Sequence, residues 1–579
     1  GVPPSSSSMR RASSVPMEAE CPIAQSGYVG VQLATGQVDC LNPGCETGAR
    51  ILVVAPEGDE YDVVAWGDPA FGGRLDASGT QYLEGGVLGL CSTGAAFVAL
   101  RRGDMLAWGD AARGGSVNGK AEELSAGRVR AILGNHGAFA ALTVDGAVVT
   151  WGDPDNGDAS GDVAAHLGGG ISSLYAGRFA FAAVKGEGVT PDEEARFVVE
   201  VDRTNGESLG IHAVGSTCRS TLQVSSVSPD GLVAQWNTAG KGKPISVGDR
   251  IIGVNDKEGR PLDMLQECRQ PKALRLVVEK AGATCQVVAW GNEHCGGDCG
   301  KASSHLGEGV VQMYSNTYAF AAVTEEGAVV TWGDPDRGGD CSCVAKRLSS
   351  GVDKVFSSGG AFAAVTSDGA LVTWGNPSDG GDSSAVAEQL ERDVTTVCGN
   401  SGAFAALKES GAVVTWGDPH GGGDSSAVAD QLAAGIAQVI ANEYAFAALT
   451  QSGAVITWGD PAYGGNSQNV AEQLSGGVAS VSGNGSAFAA LTASGAVVAW
   501  GRPGLGGNTG AASQQLLGGV ARLIHNSGAF AALKFDGHVV TWGDPDCGGE
   551  CTSVSRHFCG GIAGIGATER AFAALKKRQ

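Results

Sequence analysis

Apolar and polar positions recur along this chain with a single period. A run such as Ala403-Phe-Ala-Ala-Leu407 leads into a polar link ending at Gly411, then into Ala412-Val-Val-Thr-Trp416-Gly417. Two short apolar runs joined by a Gly-ended link predict a β-hairpin. Alternation places Ala412, Val414 and Trp416 on one face of the second strand and Val413 and Thr415 on the other. Asp418-Pro419 and Gly422-Gly423-Asp424 predict turns. Ser425 to Leu432 reads as a polar loop or a short helix, and Gly435 to Ile440 as a third strand.

The period is set by ten Trp-Gly pairs, at Trp66, Trp108, Trp151, Trp290, Trp332, Trp374, Trp416, Trp458, Trp500 and Trp542. Successive spacings are 42, 43, 139 and then 42 six times. The long spacing holds one period plus about 97 residues, so one unit carries an inserted domain. Three or four strands per 42 residues is the size of a propeller blade, which stacks its faces on two neighbours. The expected fold is mainly β: a β-propeller of about ten blade-like repeats, with an α+β domain inserted in a hairpin of the third. Residues 1–27 read as a disordered segment, 28–50 as a segment of unknown structure, 51–184 and 284–579 as repeats, and 190–283 as the insertion. The repeated Trp and Phe read as packing residues. A last apolar run, Ala571 to Leu575, begins an eleventh unit and is expected to pair beside the first unit near Ile51.

The apolar run, Gly-ended link and Val-Val-Thr-Trp-Gly-Asp resemble repeats of the regulator of chromosome condensation family. The short period is closer to the three-stranded blades of the propeller-type β-lactamase inhibitor protein. Members of the first family usually form seven blades. Ten units leave open one wide ring, a ring plus an extra segment, or an open spiral.

The insertion has another pattern. It runs Arg196-Phe-Val-Val-Glu-Val, Glu207-Ser-Leu-Gly-Ile211, Leu222-Gln-Val-Ser-Ser-Val227, Val247-Gly-Asp-Arg-Ile-Ile-Gly-Val-Asn255, a helical stretch from Pro261 to Cys268, and Ala273-Leu-Arg-Leu-Val-Val278. This order resembles a PDZ domain. Ser208-Leu209-Gly210-Ile211 looks like the carboxylate-binding loop, and Val247 to Asn255 like the family's Gly-Asp-x-Ile-x-x-Val-Asn motif. The resemblance implies that a partner's C-terminal peptide adds as a strand between Ile211 and the helix 261–268. Its carboxylate would meet the amides of Leu209, Gly210 and Ile211, where a side chain on residue 210 would obstruct the nest. Leu209, Ile211 and Leu265 would line the pocket for its last side chain, or belong to the ordinary core. Arg203 would add positive charge, or is a solvated surface residue. Pro261 and Leu262 stand where PDZ domains that select Ser or Thr carry a His, which implies an apolar preference.

Composition narrows the partners. A net charge of −22 repels phosphate backbones and argues against nucleic acid. No run of eighteen apolar residues suggests a membrane span. The odd count of 15 Cys leaves at least one outside an intramolecular disulfide and points to a reducing, cytoplasmic setting, though the chain begins at Gly1 as a fragment or processed chain does. Arg10-Arg-Ala-Ser13-Ser14-Val-Pro16 resembles a kinase site, with Ser13 and Ser14 as acceptors. Cys295, Cys299, Cys341 and Cys343 on adjacent loops are a weak zinc alternative to free thiols or local disulfides, lacking Cys-x-x-Cys spacing. No cofactor and no catalytic set is expected. The leading expectation is a non-enzymatic scaffold that binds C-terminal peptides through the inserted domain and other proteins through propeller faces. The alternatives are a nucleotide-exchange regulator of a small GTPase, and an inhibitor or receptor that covers a protein with its propeller face.

Overall fold

Each repeat is held by local bonds that its sequence dictates. Asn400 stands just before the Ala-Phe run, fully buried. Its Oδ1 accepts from the amides of Gly402 and Ala403 at 3.0 and 2.7 Å, and its Nδ2 donates to the Gly421 carbonyl at 2.6 Å. The turn between the first two strands is thereby tied to the turn that leaves the blade. In that second turn Asp418 accepts from the His420 amide, Pro419 starts a helical turn, and Gly422 ends it at φ +98°. Gly380, at the equivalent place one repeat earlier, has φ +91°, and a Cβ there would lie 2.5 Å from the Phe404 ring. The position demands glycine for its backbone and for its missing side chain.

The computed structural model of the chain describes residues 53–54 and 61–578, apart from 186–195, 216–221, 259–263, 280–285 and shorter stretches of up to four residues. Ser13, Ser14, Ile51, Leu262 and the segments 1–27 and 28–50 lie outside the described residues. Ten antiparallel sheets follow the repeat, besides one six-stranded sheet formed by the insertion. In chain order the blades span 87–109, 129–152, 171–185 with 286–291, 310–333, 352–375, 394–417, 436–459, 478–501, 520–543, and 562–577 with 61–67. Nine have three strands. The first has a fourth, Val53–Val54, paired with the innermost strand Val87–Ser92. The stretch 425–432 is a 3-10 turn followed by one α-helical turn, Ala429–Leu432.

The tenth blade decides the architecture. Ala571–Lys577 pairs with Tyr61–Gly67, the strand that carries Trp66, and with Ile562–Ala567. The last apolar run is therefore completed by the first Trp-Gly strand, at 61–67, and the eleventh unit does not exist as a separate blade. First strands of successive blades touch all the way round, and those of blades ten and one also meet. Ser92 Oγ donates to the Ala567 carbonyl at 2.6 Å across that junction. The ten blades thus close into one propeller, wider than the roughly four to eight blades of most propellers.

The cores lie between blades. Phe404, Ala406, Val414 and Trp416 of blade six pack on Ala361, Ala363 and Val365 of blade five. On the other face, Ala403, Ala405 and Leu407 pack on Phe446 and Trp458 of blade seven. Such clusters link every neighbouring pair, including blades nine with ten and ten with one. Alternation along each strand sends its small and large residues to different neighbours. Phe404 and Trp416 face each other in register and stack at 5.2 Å, a geometry worth about 1 kcal/mol beyond its buried area. The Trp416 indole N–H donates to the Gly380 carbonyl at 2.9 Å. The same bond recurs at nine of the ten repeated tryptophans, between 2.9 and 3.2 Å. Trp290, in the blade that carries the insertion, is the exception: its buried indole nitrogen finds no partner among the described residues.

Candidate peptide-binding groove

The insertion folds around a core of its own, in which Val199, Leu222, Ile251, Leu276 and Val278 are buried together. Its elements are β1 (Arg196–Asp202), β2 (Ile211–Gly215), β3 (Leu222–Val227), α1 (Leu232–Ala239), β4 (Arg250–Val254), β5 (Lys257–Glu258) and β6 (Ala273–Glu279). Met264, Leu265, Glu267 and Cys268 are helical. The sheet order is β1-β6-β4-β3-β2, with β5 beside β4. One side of β2 is therefore the sheet edge.

Three carbonyls of the loop entering β2 are held from the side of α1 and β3. The carbonyls of Ser208, Leu209 and Gly210 accept from the amides of Leu232, Val233 and Ser228 at 3.1, 3.1 and 2.7 Å. In a trans peptide the N–H points opposite to the C=O. The amides of Leu209, Gly210 and Ile211 consequently turn away from α1. Ile211 faces Val227 across the ladder, and the bond from Ser228 N–H to Gly210 O makes this a non-hydrogen-bonded pair. The N–H and C=O of Ile211 therefore point out of the open edge of β2. The Ser208 hydroxyl accepts weakly from the Gly210 amide, at 3.3 Å.

Gly210 has a different reason to be glycine from the one expected. Its φ is +74°, and a Cβ would fall 2.4 Å from the Cα of Gly231. The two glycine backbones touch, which brings the loop onto the start of α1. Leu209 is buried in the core, while Ile211 and Leu265 are half-buried against it. The three share one cluster but differ in access, and only Ile211 and Leu265 keep partly open surfaces.

Arg203 is half-buried and held by backbone carbonyls. Its Nε donates to the Glu207 carbonyl at 2.7 Å and its Nη1 to the Cys268 carbonyl at 2.6 Å. The guanidinium thus clamps the loop to the end of the helical stretch and sets the distance between them. Burial pushes the Cys268 thiol up to about 11, against the pull of Arg203. The helix is anchored from its other side by Asn255, which holds φ +55°. Asn255 exchanges bonds with the Arg275 backbone and donates to the nearly buried Glu267 at 2.7 Å; Glu267 is also paired with Lys272. Asp249, almost wholly buried, accepts from the Ser246 amide at 2.8 Å. The second motif of the insertion is structural: it fixes turns and helix placement.

The cysteines do not converge. Cys299 lies in the core between blades three and four, and Cys341 beside the core between blades four and five. Burial pushes the Cys299 thiol up to about 12 and raises those of Cys295 and Cys341. Among the described residues no three His, Cys, Asp or Glu groups are placed to hold a metal.

One feature of the propeller is missed by the period alone. At the end bearing the loops after the first strands, the residues following the Asn400-type position vary. His136 Nδ1 lies 3.0 Å from Glu569 Oε1 across blade one, where Gly94 leaves room for both. Arg337 stacks over Tyr318 at 4.2 Å and reaches Asp379 at 3.8 Å, and Tyr444 is exposed beside Tyr463. Burial lowers the Arg178 guanidinium and raises Glu443, each opposed by the other's charge. Aligning repeats at this one position, rather than reading the period, reveals the variation.

Among the described residues no helix is long and apolar enough to cross a membrane. No family model matches the chain, and neither does any curated protein. Among solved structures the chain is similar to Prp20p of Saccharomyces cerevisiae, described with its binding to Gsp1p and histones, at 13% identity, over 49% of this chain and 84% of that one, with a TM-score of 0.27. It is similar at 12% identity to the ectodomain of the receptor kinase CR4 of Physcomitrella patens, over 47% and 70%, with a TM-score of 0.26. It is similar at 13% to the ectodomain of ACR4 of Arabidopsis thaliana, over 45% and 88%, with a TM-score of 0.26. Likeness at this level carries no argument, so the propeller rests on the strand pairings and inter-blade cores of this chain.

Proposed function

We propose that the chain is a non-enzymatic interaction scaffold, with repeats of the regulator of chromosome condensation type bearing an inserted PDZ domain. In this reading a partner's C-terminal segment adds antiparallel to β2, and its carboxylate is taken by the amides of Leu209, Gly210 and Ile211. Its last side chain lies on Ile211 and Leu265; Leu262, which the sequence also suggests for this pocket, lies outside the described residues. The carrying observation is the orientation of the loop: three successive carbonyls bonded to α1 and its approach, and three successive amides turned away from α1, the last of them, that of Ile211, out of the open sheet edge. Arg203 supports the site through position, by holding helix and loop together. The test is a screen of the full chain against a library of C-terminal peptides. Binding that disappears when the same peptides are amidated supports the reading; equal binding of acid and amide forms refutes it.

A second reading, a propeller end that covers another protein, is favoured by the aromatic and Arg side chains this end carries, Arg337 over Tyr318 and Tyr444 beside Tyr463, residue types enriched at interfaces. Capture of a protein partner by a chain lacking 190–283, lost on Arg337→Ala with Tyr444→Ala, would support it. The exchange-factor reading rests on family resemblance alone.

A further inference from the structure

Nine of the ten turns that leave a blade carry two successive glycines, as Gly422 and Gly423 do after blade six. The turn leaving blade two reads Asn156, Gly157 and then Asp158. In each of the nine, a Cβ on the second glycine would fall between 2.2 and 2.6 Å from the backbone of the glycine that follows the repeated Trp. Asp158 brings that Cβ, and the backbone around it differs accordingly. Gly152, the glycine it would strike, has φ +124°, against +98° to +112° at its nine equivalents. Gly157 has φ +116°, against +86° to +102°. The Asp158 amide reaches the Asp153 carbonyl at 3.2 Å, where the other nine turns close at 2.7 to 2.9 Å.

The consequence falls on the next blade. Gly157 still lies against Phe181, since a Cβ on it would fall 2.8 Å from that ring. Its carbonyl, however, receives no indole N–H: Trp290 stands where the donor stands at the other junctions, and its buried nitrogen is unbonded among the described residues. In the same turn the buried Asn156 Oδ1 is also unbonded among the described residues, although Nδ2 of that side chain donates to Asp153 at 2.6 Å. A buried donor and a buried acceptor left unmade both oppose the closing of the interface that buries them. The apolar core between these blades is otherwise complete, with Leu133, Ala138 and Leu142 packed with Phe181 and Trp290. One cation compensates at the margin. Lys120 Nζ donates to Asp158 Oδ1 at 2.8 Å and to the Thr150 carbonyl, which holds the altered turn to its own blade.

We propose that the junction of blades two and three is the seam of the ring, where it opens first, with Asp158 as the residue that creates the seam and Lys120 as its latch. The non-covalent closure inside blade ten is the rival position. There seven residue pairs join Tyr61–Gly67 to Ala571–Lys577, and Trp66 keeps its bond to Gly548. The seam borders the blade that bears the insertion. Ala180–Lys185 and Gln286–Gly291, the strands that hold the two ends of the insertion, are paired with each other over six residues. Blade three therefore moves away from blade two as a unit and takes both ends of the insertion with it. Such local opening lets the inserted domain shift against the rest of the ring while the other blades stay folded.

Hydrogen exchange of the full chain under native conditions, read by mass spectrometry, tests this. The amides of Ile171–Ala176 and Gln286–Gly291 are expected to exchange at least about tenfold faster than those of Val394–Gly399 and Val413–Gly417 in blade six, and faster than those of Ile562–Ala567 in blade ten. Asp158→Gly should bring blade three to within about twofold of blade six, because the second glycine restores the turn that accepts the Trp290 bond. Lys120→Met, with Asp158 kept, should speed blade three further by at least about threefold. Equal rates in blades three and six, or faster exchange in blade ten than in blade three, overturn the proposal. Fast exchange that persists in Asp158→Gly traces it to the insertion and overturns it as well. An unchanged rate in Lys120→Met refutes the latch.

Discussion

The indole N–H of Trp66 donates to the carbonyl of Gly548 at 3.1 Å, although 482 residues separate them. It is the bond that Trp416 makes to Gly380 within one stretch of chain, formed here between the two ends of the repeat array. The propeller closes with the same contact that joins each blade to the turn before it.

Removing that contact has a graded cost. Trp416→Phe and Trp66→Phe each leave a buried carbonyl unpaired and are expected to lower stability by about 1–2 kcal/mol beyond the loss of indole area. Trp290→Phe removes the same area but no such bond, and should cost less by that difference. Denaturant midpoints of the three variants check this; an equal loss for Trp290 and Trp416 would be inconsistent with the bond as the source.

The buried asparagine allows an internal comparison. Asn400→Ala strands the Gly402 and Ala403 amides and the Gly421 carbonyl, at a cost of about 2–4 kcal/mol. Asn400→Ser should cost much less, because Ser358 already serves in blade five, donating to the Asp379 carbonyl at 2.6 Å and accepting from the Ala361 amide. Thermal denaturation of both variants reads the gap.

Two glycines with left-handed backbones separate strain from crowding. At Gly435, φ +79°, a Cβ would meet nothing within 4 Å, and Gly435→Ala should cost about 1 kcal/mol. At Gly380 the Cβ would also strike Phe404, so Gly380→Ala should cost at least about twice as much. Equal costs would mean that the ring yields freely.

In the groove, Gly210→Ala drives the loop off Gly231 and should abolish peptide binding, while Arg203→Met should weaken it by about tenfold through loosening of the helix. Titration of the full chain with a fluorescent C-terminal peptide measures both, and the main unfolding transition of the ring should not move. An Arg203→Met chain that binds with unchanged affinity would remove the clamp from the site.

Thiol chemistry follows burial. With thiols near 11 and 12, Cys268 and Cys299 stay protonated at pH 8, and reactivity rises only as pH approaches those values. Iodoacetamide at pH 8 should label the exposed Cys343 and Cys559 and spare Cys268 and Cys299 until the chain is denatured. Peptide mapping by mass spectrometry reads each site, and early labelling of Cys299 would contradict its place in the core.

Much of the propeller was legible beforehand because its determinants are local. The alternation in Val413–Gly417, the Gly-ended link at Gly411 and the turn at Asp418-Pro419 each act within a few residues, and the structure builds one sheet from each such set. The meaning of Asn400 was hidden, since a polar residue before an apolar run reads as a loop until its three buried bonds are seen. Gly210 and Arg203 were noticeable as residue types, but their partners, Gly231 and the Cys268 carbonyl, lie far along the chain.

By itself the sequence determined the period, the hairpins, the interruption after Phe181 and the alternation of each strand, all consequences of short-range geometry and side-chain periodicity. Only the tertiary structure decided that Tyr61–Gly67 completes the sheet of Ala571–Lys577, and hence that there are ten blades in a closed ring. Likewise it alone decided which loop amides turn to an open edge and which variable residues gather at one end. Closure depends on how the small angles between neighbouring blades accumulate around the ring. No single repeat encodes that sum; it emerges only when the last sheet meets the first.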